Sequence, residues 1–195
     1  SPTITYSPTA NYHGADRFGA QVADIDGVAT IMVNVTVNPV NDPPSFTASN
    51  PPVVIENSGT HTVTTWATSF NPGPNETDSV LAYIVNHITN PNLFSSPPSV
   101  NTSGTLTYTL ATNQSGSSNF NVTVQDHGGT ANGGVDLSTT ATVTVNVSAP
   151  EIHLKQGATN IPRGSSFDVG PSAVGHQVTY PFTMENLGNS NLTLN

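Results

Sequence analysis

The sequence predicts an all-β protein made of tandem β-sandwich domains. Three observations predict it: apolar and polar residues alternate with a period of two in long runs, Thr, Val, Ser, Asn, Gly and Pro dominate the composition, and a stretch near the start recurs without a gap in the second half. β-Branched residues favour strands, whereas Gly, Pro, Asn and Ser favour the turns between them.

The alternation is clearest at 30–38. Ile31, Val33, Val35 and Val37 face one way, and Thr30, Met32, Asn34, Thr36 and Asn38 face the other. It returns at Ala141, Val143, Val145 and Val147, set against Thr142, Thr144, Asn146 and Ser148. Such a period signals half-buried strands. No stretch shows helical periodicity.

Residues 1–24 align with residues 103–126 at nine of 24 positions. The pairs include Tyr6/Tyr108, Asn11/Asn113, Gly14/Gly116, Phe18/Phe120, Val22/Val124 and Asp24/Asp126. A loop and an alternating strand follow each copy, and the second loop, HGGTANGGVD, is the longer one. Residues 1–43 are therefore expected to be the last strands of one domain, and residues 44–149 a complete second copy.

Within that copy, strands are expected at Val53–Glu56, His61–Trp66, Val80–Val85, Gly104–Leu110, Phe120–Gln125 and Ala141–Val147, with prolines 72, 74, 91, 97 and 98 in the gaps. Short strands at this spacing imply a sandwich of the immunoglobulin type, with Trp66 as a core anchor. After Pro150, strands are expected at 151–155, 166–169 and 178–185, then a turn into another strand ending at Leu194. The 45 residues after Pro150 are too few to bury a core alone. Both ends are therefore expected to be cut from a longer chain.

Composition bounds the function. Apolar residues make up 34% of the 195, so the cores are expected to be thin. Arg17, Lys155 and Arg163 face twelve acidic residues, a net charge of −9. That excludes a nucleic-acid footprint, which must be positive, and disfavours anionic membranes. Without cysteine there is neither a disulfide frame nor thiolate chemistry. No apolar run approaches the roughly 18 residues of a membrane span. Seven Asn-x-Ser/Thr sequons (Asn34, Asn75, Asn101, Asn113, Asn121, Asn146, Asn191) are read as products of composition, three of them inside expected strands.

Catalytic patterns are missing. The six histidines are scattered, without the His pair at i, i+4 that zinc proteases use. There is no G-x-S-x-G elbow or Walker loop, and Asp24/Asp26 lack a cleft that could make them a glycosidase pair. Lys155 alone could supply an isopeptide bond.

The segments FGAQVADIDGVATIMVNVTVNPVNDPP and FNVTVQDHGGTANGGVDLSTTATVTVNV resemble the ends of bacterial cadherin-like modules. VVIENSG, WATSFNPGPNETD, NPNLFSSPPSV and GTLTYTLATN fit the same module along 44–149. The tail, PEIHLKQGATNIPRGSSFDVG with VTYPFTMENLGNSNLTL, is similar to the start of a Hydin-like immunoglobulin-type domain. The resemblance implies tandem sandwiches, the terminal ones incomplete, in a large secreted or surface-attached bacterial protein. Partners would be neighbouring domains, other copies, or cell-surface and matrix glycans.

The resemblance also implies calcium between domains. Asn41 and Asp42 match the family's linker, Glu56 its first-strand Glu, and Asp126 with its repeat partner Asp24 the Asp near the end of the sixth strand. Calcium takes about six to eight oxygens, from carboxylates, amides and carbonyls. The chain departs from the pattern in several places. Asn38 replaces the linker's first Asp, Pro43 its last Asn, and Ser69 and Asn71 stand near the expected Asp pair. Asp26 and Asp136 are turn residues or peripheral ligands, and the second junction, Ser148–Glu151, lacks such a linker. The expected function is a non-catalytic, calcium-stiffened spacer. The alternatives are a filament subunit completed by strands of neighbouring copies, and a carbohydrate-binding module presenting one of Tyr6, Tyr12, Tyr83, Tyr108 or Trp66.

Overall fold

The computed structural model describes residues 3–162 and 164–188. Strands β1 (Gly14–Asp24) and β2 (Gly27–Val37) form a hairpin. There follow β3 (Ser45–Thr47), β4 (Val54–Ile55), β5 (Thr60–Val63), β6 (Thr68–Asn71), β7 (Val80–Asn86), β8 (Phe94–Val100), β9 (Leu106–Leu110), β10 (Gly116–Asp126) and β11 (Ala141–Ser148). The tail adds β12 (Ile152–Gln156), β13 (Thr159–Ile161) and β14 (Thr183–Asn186), which pair in the order β13-β12-β14. Helical structure among the described residues is confined to 3-10 turns at 91–93 and 131–133, and no helix is long and apolar enough to cross a membrane. The fold is all-β.

Residues 45–148 form a sandwich. One layer has the order β4-β11-β10-β7; β5-β9-β8 and the pair β3-β6 make up the rest. The core lies between these sheets. Leu106, Tyr108 and Leu110 of β9 meet Phe120 and Val122 of β10 and Val143, Val145 and Val147 of β11. Trp66 anchors one side, its ring 6.3 Å from Phe120 and its indole N–H donating to the Ser49 carbonyl at 2.7 Å. Burial pushes the Tyr83 and Tyr108 phenols above their ordinary range, which keeps both neutral.

The repeat is visible in the strands. β1 and β10 begin and end at positions 102 apart, and Phe18 pairs with Val33 as Phe120 pairs with Val143. Burial differs between the copies. Val124 is fully buried, whereas Val22 is 72% exposed and Ile31 64%, because no second sheet covers the β1–β2 face among the described residues.

Several elements differ from expectation. β3, β6 and β13 are too short to show a period, and β8 carries Pro97 and Pro98. Proline donates no ladder hydrogen bond and is confined to edge strands or bulges. β8 is accordingly an edge strand with an irregular register against β9. No strand forms at 166–169, and the one expected at 178–185 starts only at Thr183. The terminal strand and the Asn191 sequon lie outside the described residues.

Phe120 sits at the centre of the core with no exposure. Phe120→Ala should cost about 3–5 kcal/mol in chemical denaturation, a large share of a typical domain's stability.

Candidate functional site

β2 leaves the hairpin through Asn38-Pro-Val-Asn-Asp-Pro-Pro44, and the prolines stiffen this neck by fixing φ. Asn41 ties it to the loop after β10. Its side-chain N–H groups donate to Asp126 Oδ1 at 3.0 Å and to the Val135 carbonyl at 2.8 Å. Its own carbonyl accepts the Val135 N–H at 2.9 Å. Asn132 donates to the Pro39 carbonyl at 3.1 Å. The Asp42 N–H donates to Glu76 Oε1 at 2.8 Å, tying the neck to the β6–β7 loop.

Asp126 is buried for a reason written into β10. Ser118, Phe120, Val122, Val124 and Asp126 occupy one face at a period of two, and all are buried. A register shift against β7 falls at Gln125/Asp126, and such irregularities re-aim a side chain. Asp126 Oδ1 also accepts the Gly128 N–H at 3.0 Å, and the Asp126 N–H donates to the Asp136 carbonyl at 3.1 Å.

Three buried oxygens at this neck have no hydrogen-bond partner: Asn41 Oδ1, Glu76 Oε2 and Asp126 Oδ2. A buried polar atom left unpaired costs about 1–3 kcal/mol, and a charged one more. Glycines enclose the site. A Cβ on Gly128 would overlap the Asn41 amide oxygen, one on Gly73 would overlap Glu76 Oε2 and lie 2.7 Å from Asp42 Cβ, and one on Gly134 would lie 2.9 Å from the Asn41 nitrogen.

The residues named from the sequence separate into two sets. Asn41, Asp42 and Asp126 come together. Glu56 does not: its N–H donates to the Ser148 carbonyl at 2.9 Å, and β4 runs parallel to the far end of β11. Since Val147 pairs with Gly116, Glu56 lies a full β10 length from Asp126, roughly 30 Å at the rise of a strand. Asp24 is also remote. It sits at the tip of the β1–β2 hairpin, where its Oδ1 accepts the N–H groups of Asp26 at 2.9 Å and Gly27 at 3.1 Å. The expectation that Glu56 and Asp24 join the linker residues is therefore corrected. Each caps the pole of its own repeat unit that lies away from this neck. Asp136 accepts from Gln125 Nε2 at 2.7 Å, which ties the loop to β10.

Glu76 was missed. Its signal was two acids, Glu76 and Asp78, just after the Pro-Gly-Pro turn of a chain with few charges. Ser69 and Asn71, near which the resemblance places an Asp pair, lie on the other side of that turn.

Among the described residues, no group of three or more His, Cys, Asp or Glu is placed to hold a metal ion. The orphaned set is two carboxylates and one amide, all oxygen, and this chemistry suits a hard cation rather than zinc. At the second junction the Ser148 hydroxyl donates to the Val54 carbonyl, the Glu151 N–H donates to Asn186 Oδ1 at 3.2 Å and the Glu151 carbonyl accepts the Leu187 N–H at 2.8 Å. The contact of Ser58 with His61 is no nucleophile–base pair, because the Ser58 hydroxyl donates to the Ile55 carbonyl. A groove of about 720 Å³ runs beside the neck, between residues 8–13, the linker, 74–78 and the loop after β10. Asn75 crosses it, donating to the Asn11 carbonyl at 3.2 Å.

No family model matches the chain, and no curated protein matches it.

Gly128→Ala should destabilise the sandwich by about 1–3 kcal/mol through overpacking against Asn41. Gly19→Ala, whose methyl would meet Met32 and Thr30 at 3.6 Å, should be near neutral in the same denaturant titration.

Proposed function

We propose that the chain is a non-catalytic spacer of a large secreted or surface-anchored bacterial protein, with a neck at residues 38–44 that calcium stiffens. The observation that carries this reading is the set of buried, unpartnered oxygens on Asp126, Glu76 and Asn41, whose residues the neck links through the Asn41–Asp126 and Asp42–Glu76 hydrogen bonds. The resemblance of VNPVNDPP and GGTANGGVD to cadherin-like modules supports the same location.

Asn41, Glu76 and Asp126 would hold the ion, with Asp42 at the rim. The bound ion would offset the cost of burying these oxygens and join linker, β6–β7 loop and β10 loop into one unit. Asn41 and Asp42 orient the neck through their hydrogen bonds, and the prolines limit the entropy lost on closure. Modules that work outside cells bind calcium at about 0.1–1 mM, so occupancy would follow the surrounding medium.

The uncovered β1–β2 face favours a second reading, a filament subunit in which another copy supplies the missing sheet. Exposed Val22 has a buried counterpart in the repeat, Val124.

Thermal unfolding in millimolar calcium should run about 5 °C above that in chelator. Asp126→Asn and Asp42→Ala should each reduce the difference. Superimposable curves for the unaltered protein in the two media would overturn the calcium reading.

A further inference from the structure

We infer that the groove beside the neck binds a neutral oligosaccharide, with Tyr12 as the stacking platform. The inference goes beyond the spacer reading and does not require the cation. Of the five aromatic side chains named from the sequence as sugar platforms, four are engaged elsewhere. Tyr108 and Trp66 are buried at 1% and 6% exposure. Tyr83 packs edge-on against Phe46, and Tyr6 stacks on Phe18 at 5.8 Å while donating to Asp16. Tyr12 is 41% exposed and forms part of the groove wall, with its hydroxyl donating to the Ala15 carbonyl.

The rest of the wall suits hydroxyl groups. Asn38, Asn75 and Asn132 bring amides, Asp78 a carboxylate and His127 an imidazole. Amides and carboxylates pair with sugar hydroxyls, and an aromatic face takes the C–H side of a pyranose ring. The volume of about 720 Å³ lies within the ordinary range for ligand sites, yet a wall this polar is unlike the mostly apolar lining of drug-like pockets. No Lys or Arg lines the groove and the chain carries a net charge of −9, so an acidic glycan finds no counter-charge. The groove lies between the N-terminal segment and the sandwich, and a bound glycan would bridge them.

Cellohexaose, maltohexaose and mannohexaose are titrated into the full chain in chelator and in calcium, followed by calorimetry and saturation-transfer NMR. At least one should bind. Tyr12→Phe, which keeps the ring, should retain that binding, while Tyr12→Ala should weaken it about tenfold with an unchanged melting temperature. The inference is overturned if none of the three sugars binds, if Tyr12→Ala binds as well as the unaltered chain, or if Tyr12→Phe loses binding too. Sugar-free melting curves from the same samples test the calcium neck separately, so either idea can fail alone.

Discussion

The neck depends on Asp126, a carboxylate that β10 carries into the interior because its period of two continues to the last residue. Ser118, Phe120, Val122 and Val124 commit that face to the core, and the fifth position follows them inside. A charged group there is costly unless something answers it. One oxygen is answered by Asn41 and the Gly128 N–H; the other is not. That imbalance distinguishes the linker from an ordinary solvated turn.

The surrounding loops are shaped around the same contact. Gly128 and Gly134 leave room for the Asn41 side chain and backbone, and Gly73 leaves room for Glu76 and Asp42. The long loop after β10 wraps the linker through Val135 and Asn132. In the first repeat the corresponding turn is only Ile25-Asp26, and Asp24 there merely closes the hairpin. One strand pattern thus ends in two different chemistries, decided by the length of the loop that follows.

Asp126, Asn41 and Asp42 could be placed from the chain because each is tied to a local pattern. Asp126 ends an alternating strand, and the other two stand in a proline-bounded linker. Glu56 and Asp24 were misplaced because a motif match says nothing about which pole of a sandwich a strand end occupies. Strand direction decides that, and the parallel pairing of β4 with β11 sends Glu56 to the opposite end. Glu76 sits in an irregular loop, where no period marks a buried side chain.

By itself the sequence determined the all-β class, the repeat at an offset of 102 and the positions of its two longest hairpins, since period-two alternation and turn residues act over a few neighbouring positions. Tertiary structure alone decided which polar groups meet at the neck, that β8 tolerates two prolines at an edge, and that one copy of the repeated face is covered while the other is bare. The first of these depends on contacts between residues 34 to 94 positions apart, such as Asp42 with Glu76 and Asn41 with Val135. No local pattern encodes such distances.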